Sequence, residues 1–145
     1  MAGFSDTWEN NILQLILNAT AISQWADNAA SSASTETWVA LHTADPGDTG
    51  TQGTNEASYT GYGRVEVART TGGWVVASGS ASPVSAITFG QATSTSTSTI
   101  THASIGVTSA TTDGTIIASG TVSPNINISQ NVTPSLTTGS SFTLD

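Results

Sequence analysis

The sequence predicts a mainly β protein, an antiparallel β-sandwich or barrel-like domain preceded by an N-terminal α-helix. β-Branched residues dominate from residue 37 onward, and roughly a third of the chain is Ser or Thr, a composition that favours sheet. Short apolar runs recur there at regular spacing between Gly, Pro, Asn and Asp turn signals, which is typical of all-β domains. The first residues differ, because their apolar positions recur at helical spacing.

The predicted helix runs from Phe4 to Asn18. Ser5 or Asp6 is positioned to cap it, and Asp6 with Glu9 has the spacing of a capping box. Its apolar stripe contains Trp8, Ile12, Leu15, Ile16 and Ala19, and Leu13 and Leu17 widen it at the margin. Packing against the sheet is the simpler use of this stripe, and contact with another subunit is the alternative. Next, a second short helix around Ile22–Trp25, followed by a mobile linker, is favoured over a loop.

Strands are expected near 37–43, 62–69, 73–78, 84–89, 99–107, 115–122 and 140–144. Gly72-Gly73 and Asp113-Gly114 indicate turns between them, and Pro83, Pro124 and Pro134 are expected at strand starts or edges. The Ser/Thr alternation of Thr93–Thr99 has no apolar face, so an exposed loop or edge segment is expected. At 145 residues, the chain is expected to form one domain, residues 1–145, with a helical segment at about 4–30 and a β-domain at about 37–145.

The charge of the chain excludes a nucleic-acid-binding role. Arg64 and Arg69 are its only basic side chains apart from two histidines, against ten acidic residues, for a formal charge of −8. Binding to phosphates requires many cations, and the net field repels DNA. Cysteine is absent, which excludes disulfides and thiolate metal sites. No apolar run is long enough to span a bilayer, and the start lacks a basic signal-peptide region, so a soluble protein made in a cytoplasm, without a membrane partner, is expected.

The sequence indicates neither an active site nor a metal site. His42 and His102 each lie in a predicted strand, and no hydrolase motif accompanies them, so hydrogen-bonded strand histidines are expected. Asp45, Asp48 and Glu56 share one polar loop, but the EF-hand spacing is missing, so a solvated loop is favoured over a calcium site. No catalytic residue, cofactor or metal is therefore predicted. A hydrolase would require His42 or His102.

Arg64 draws attention because basic residues are so rare here. Beside Tyr62, its planar guanidinium is suited to bind a carboxylate within the subunit, or to contact a partner across an interface. A separate possibility is a carbohydrate- or surface-binding β-domain, in which exposed Trp25, Trp74 and Tyr59 would stack on sugar rings. Core packing is the commoner fate of such aromatic residues.

An ordered set of short motifs gives the chain a resemblance to a known family. It comprises Phe4-Ser5-Asp6, Glu9-Asn10, Trp38–Val67, Ile87-Thr88-Phe89, Ile100–Ile105 and Phe142–Asp145. In these motifs the chain resembles small virion proteins of tailed bacteriophages, labelled as tail-fibre or structural proteins, of which some are head decoration (cement) proteins. The Ala- and Ser-rich segment before Trp38 and the Ser/Thr repeat after Gly90 depart from the pattern.

The resemblance implies a non-enzymatic virion protein, most simply a capsid decoration protein on the outer shell. Its implied partner is the major capsid protein, which it would bind as a homo-dimer or homo-trimer. A tail- or fibre-associated protein is the alternative within the same class. The residues expected at the interface are Phe4, Trp8, Ile12, Trp38, Asp45, Pro46, Tyr62 and Arg64.

Overall fold

The computed structural model describes residues 5–29, 33–110 and 114–143. Those ranges contain a single α-helix and three sheets whose strands are mainly antiparallel, which confirms the predicted mainly β class with an N-terminal helix; none of the sheets they form closes into a barrel. The elements are α1 (Asp6–Asn18), β1 (Glu36–His42), β2 (Val65–Ala68), β3 (Trp74–Ala77), β4 (Ser80–Pro83), β5 (Ile87–Thr88), β6 (Ser98–Gly106), β7 (Ile116–Ile128), β8 (Ser135–Leu136) and β9 (Phe142–Thr143).

The chain divides into two compact units. The first comprises Met1–Glu36, Val67–Ala86 and Leu136–Asp145, and the second comprises Thr37–Glu66 and Ile87–Ser135. A single cooperative domain over residues 1–145 stays a prediction.

In the first unit, α1 packs on a three-stranded sheet of order β3-β4-β9. Leu13 and Leu17 are fully buried, whereas Trp8 and Ile12 are half-buried. The predicted centre of the apolar stripe, on Trp8, Ile12 and Ile16, is therefore wrong. The fully buried face carries Leu13 and Leu17, which the prediction had placed at the margin of the stripe. A hydrogen bond also links α1 to the turn before β4: the side-chain Oδ1 of Asn10 accepts from Gly79 N–H at 2.9 Å.

The ends of α1 differ from the prediction. The helix begins at Asp6, and its N-cap Ser5 makes no side-chain capping bond, so a cap by Ser5 is not observed. The predicted capping box of Asp6 with Glu9 depends on the Asp6 side chain, which lies outside what the structure describes. Phe4 lies outside the described residues. At the other end, Ala19 adopts the left-handed conformation, and the N–H of Thr20 donates to Gln14 O at 3.0 Å. These features end the helix at Asn18.

The predicted second helix around Ile22–Trp25 is wrong. Ile22 and Ala26 instead close a tight loop, in which each backbone N–H donates to the other's carbonyl, at 2.7 and 3.0 Å. Gln24 lies inside this loop with φ +67°, in the left-handed region. One left-handed residue reverses the chain and prevents a helical turn.

The second unit is built around β1, β6 and β7, within a four-stranded sheet of order β2-β1-β6-β7. In the antiparallel β1–β6 pair, Trp38 lies opposite Gly106 and His42 opposite His102. Strand β1 is buried along most of its length, because apolar residues occupy both of its faces. The core of this unit contains Val39, Ala40, Leu41, Ala57, Tyr59, Phe89, Ala92, Ile100 and Ile128.

Several strand boundaries differ from the prediction. The run 62–69 narrows to Val65–Ala68, because Tyr62 N–H donates to Tyr59 O in a turn. The run 84–89 retains only Ile87–Thr88, and a strand at Ser80–Pro83 was missed. That strand follows a hairpin at Ser78-Gly79, where both residues have positive φ, +52° and +70°. A Ser-Gly pair between two apolar runs is a turn signal that would have revealed it.

The C-terminal strands also differ. Strand β7 extends from the predicted 115–122 to Ile116–Ile128, and Pro124 lies within it, on the outer strand of the sheet, where proline is tolerated. Strand β8 was not predicted, and the strand predicted at 140–144 narrows to Phe142–Thr143. Two residues of the predicted elements lie outside the described residues: Asp113, in the predicted turn, and Leu144. The stretch Thr93–Thr97 is a loop, which was one of the two structures predicted for the Ser/Thr alternation. None of the helical structure described here is long and apolar enough to cross a membrane.

Candidate functional site

The second unit contains a buried ion pair between Arg64 and Glu56. Arg64 Nε donates to Glu56 Oε1 at 2.7 Å, and Arg64 Nη2 donates to Glu56 Oε2 at 2.8 Å. The two side chains are 0% and 7% exposed. Nη1 of Arg64 also donates to the carbonyl of Thr108, at 3.0 Å. Arg64 thus joins the 52–64 loop to the segment that follows β6, which is the intramolecular alternative that the sequence left open.

Tyr62 extends this pair into an aromatic cluster. Its hydroxyl donates to Glu56 Oε1 at 2.9 Å and accepts from Leu41 N–H at 3.0 Å. Its ring stacks on Phe89 and meets Tyr59 edge-on, with ring centres 6.2 and 5.3 Å apart. Burial raises the pKa of the Tyr62 phenol and raises the pKa of Tyr59 to about 12, so both hydroxyls remain neutral at physiological pH.

A shallow cleft of about 370 Å³ opens above this cluster, and its lining includes Glu56, Ser58, Tyr59 and Tyr62. The hydrogen-bonding groups at its base are already engaged: Tyr59 Oη donates to Gly90 O at 3.0 Å, and Tyr62 and Glu56 are bonded to each other. The cleft is therefore a surface over a structural cluster, with little hydrogen-bonding capacity to direct at a ligand.

His42 is fully buried and bonded at both ring nitrogens. Nδ1 donates to the carbonyl of Thr54 at 2.9 Å, which fixes the tautomer, and Nε2 accepts from the Ser104 hydroxyl at 2.8 Å. Burial lowers the pKa of His42 and outweighs the Thr54 hydrogen bond and the nearby Glu56 carboxylate. Although a Ser–His pair resembles a nucleophile and its base, Ser104 is 2% exposed and therefore buried together with His42.

No group of three or more metal-ligating side chains occurs within residues 5–29, 33–110 and 114–143. Asp45 and Asp48 are exposed, and Asp45 Oδ1 accepts from Gly47 N–H at 2.8 Å, so this part of the loop has the character of a solvated turn. Glu56, which shares the loop, faces Arg64 instead.

The three aromatic residues considered for sugar stacking have different surroundings. Trp74 and Tyr59 are 3% and 6% exposed, so they pack into the core, which is the commoner fate that the sequence favoured, and the alternative of exposed stacking platforms does not hold for them. Trp25 is 77% exposed on the closed loop Ile22–Ala26. The ring of Trp8 meets it edge-on, with centroids 5.4 Å apart and an interplanar angle of 86°.

Arg69 has a role that the sequence did not reveal. Its guanidinium donates from Nε to Ile16 O at 2.5 Å, from Nη2 to Leu15 O at 2.6 Å and from Nη1 to Asn28 Oδ1 at 2.7 Å. It therefore binds carbonyls in the last turn of α1, where no basic residue of the helix itself is present. The signal in the sequence was the lack of any cation in that turn.

The residues predicted at an interface lie in both units. Trp8 and Ile12, in the first unit, are half-buried, while Phe4 is outside the described residues. The second unit contains Trp38 and Tyr62, both half-buried, exposed Asp45, and buried Pro46 and Arg64. Their contact with another protein stays a prediction.

Comparison with known proteins identifies one family. A family model described as podophage GP4 fiber I protein gp80 matches residues 3–142. No curated protein matches the chain.

Proposed function

Because the chain belongs to the podophage GP4 fiber I protein gp80 family, a family of structural proteins of tailed-phage virions, we propose that it is a non-enzymatic component of the fiber apparatus. The observation that carries this proposal is the match over residues 3–142, which includes both compact units. The match therefore does not rest on a shared fragment.

The geometry of the second unit supports an architectural role over a catalytic one. The groups best suited to acid–base chemistry are buried and bonded to one another: Arg64 with Glu56, and His42 with Ser104 and Thr54. Catalysis requires such groups to reach a substrate. Here they join loops to strands, which is an architectural use of these groups.

Capsid decoration is the second location within the same class. In that role, the chain would bind the major capsid protein on the outer shell as a homo-dimer or homo-trimer and stabilise the joints between subunits. Its acidic charge of −8 suits an outer surface away from packaged DNA. The family description favours the fiber, and for that reason we place decoration second.

Phage particles that lack this protein distinguish the two locations. In the fiber role, deletion particles have intact, fully robust heads and lack fiber density in electron micrographs. In the decoration role, the heads assemble but break at lower temperature or after milder osmotic shock. Particles with normal fibers and normal robustness would contradict both roles.

A further inference from the structure

Trp25 is the most exposed of the large apolar side chains that the structure exposes to solvent. It is 77% exposed, against 54% for Val75 and 42% for Val84. A buried Trp removes more apolar area from water than any other side chain, so folding forgoes a large stabilisation here. Such exposure calls for a physical reason specific to this loop.

The backbone of the loop that carries Trp25 is closed by hydrogen bonds. Three backbone hydrogen bonds of 2.7–3.0 Å close it between Ile22 and Ala26, and one of them comes from the N–H of Trp25 itself. Gln24 has φ +67°, which a residue other than glycine adopts at an energetic cost. The edge-on contact with half-buried Trp8 supports the ring from one side. The backbone that carries Trp25 is thus pre-organised, which reduces the conformational freedom to be lost on binding.

The surroundings of Trp25 indicate the class of ligand. Apart from Trp8, which is half-buried behind the ring, its exposed neighbours in the loop are small or polar: Ser23, Gln24, Ala26 and Asp27. In a protein interface, an aromatic residue at the centre is surrounded by further buried apolar contacts. A pyranose ring instead presents a C–H face to an aromatic ring and hydroxyls around its rim, which suits one indole with amide, hydroxyl and carboxylate neighbours.

The charge of the protein narrows the class of ligand further. The Asp27 carboxylate is exposed two residues from Trp25, and the chain carries a formal charge of −8. Both repel sialylated, sulfated or phosphorylated sugars. We propose that Trp25 is the stacking platform of a binding site for neutral glycans. This inference stands on the loop itself and does not depend on the proposed location in the virion.

The four tryptophans of the chain allow a direct test by NMR. Each indole N–H gives its own signal, and the full chain is titrated with methyl β-D-galactopyranoside, methyl β-D-glucopyranoside and N-acetylneuraminic acid. We expect the Trp25 signal to shift with at least one neutral glycoside, with a Kd on the order of 1 mM for a single stacked ring, and not with the acid. No shift with either neutral glycoside would overturn the proposal.

Variants distinguish stacking of a sugar on Trp25 from non-specific binding to exposed apolar surface. Saturation transfer to the glycoside should disappear in Trp25→Ala and persist, weakened, in Trp25→Phe. Val75→Ala, which truncates another exposed apolar side chain of the same unit, should bind as the unaltered protein does. Saturation transfer in Trp25→Ala equal to that of the unaltered protein would contradict the assignment, as would equal binding of N-acetylneuraminic acid. Because Trp25 is exposed, its truncation removes little packing.

Discussion

Arg64 and Glu56 form a two-point ion pair, with Nε–Oε1 and Nη2–Oε2 distances of 2.7 and 2.8 Å, inside a protein that has only one other arginine and no lysine. Both side chains are nearly excluded from water. A charge buried in this way is tolerated only while its partner is present. The pair therefore makes the 52–64 loop part of the folded core of its unit.

Removal of one member of this pair should be strongly destabilising. We expect Glu56→Gln or Arg64→Met to lower the free energy of unfolding by about 3–5 kcal/mol, because each leaves an uncompensated buried charge. Denaturant unfolding followed by Trp fluorescence measures the change. Glu66→Gln is the matched control, because Glu66 is exposed on β2 and its loss should cost no more than about 0.5 kcal/mol. Similar losses for Glu56→Gln and Glu66→Gln would contradict the buried-pair account.

Arg69 should stabilise the C-terminal end of α1. Arg69→Ala removes charged donors from the carbonyls of Leu15 and Ile16, and we expect a loss of about 2 kcal/mol. Arg69→Lys should restore little, since an ammonium group cannot reproduce the planar fork. Thermal unfolding followed by the helical circular dichroism signal measures both variants. Full recovery of stability in Arg69→Lys would show that a positive charge alone is sufficient to stabilise this end of the helix.

The stability of the protein should fall in acid because of His42. The pKa of His42 is lowered in the folded state, so the unfolded chain binds the proton first, and stability is fully present above about pH 6.5 and decreases as pH falls below that value. Glu56, Arg64 and His102 are the charged or titratable groups that act on it. Unfolding free energies measured from neutral pH down to about pH 5 should show this slope.

Two substitutions test whether His42 causes the loss of stability in acid. In His42→Gln, the protein is less stable at neutral pH, and the slope below pH 6.5 is reduced. In His102→Gln, the matched control on β6, the slope remains. A slope unchanged by His42→Gln would show that other groups cause the loss of stability in acid.

The buried face of α1 should be centred on Leu17. Leu17→Ala removes a fully buried side chain and should cost about 2–5 kcal/mol. Ile12→Ala truncates a half-buried side chain of the same helix and should cost clearly less, since less apolar area and a smaller cavity are involved. Denaturant unfolding of both variants measures the difference, and an equal or reversed order would contradict the packing described here.

The sequence was sufficient for the periodic parts of this fold. Helical spacing located α1, and alternating or continuous apolar runs located β1, β3 and β6 to within one or two residues. It was insufficient where single backbone conformations decide the path of the chain. Gln24 in the left-handed region replaced a predicted helix with a closed loop, and Ser78-Gly79 made a hairpin that was not anticipated.

The candidate site was predictable only in its residue types. The scarcity of cations singled out Arg64, and the fork onto a carboxylate was expected, but its partner was not. Glu56 was assigned to a loop with Asp45 and Asp48, because linear spacing does not show which side chain faces inward. The burial of Trp74 and Tyr59, and the exposure of Trp25, likewise depend on tertiary packing.

Quantitative mass spectrometry of purified, intact phage particles tests the central claim most directly. If the chain is a structural component of the virion, it should be present at a fixed number of copies per particle after stringent purification, few for a fiber and hundreds for a shell. A protein that is abundant in the infected cell but missing from purified particles would contradict the structural role.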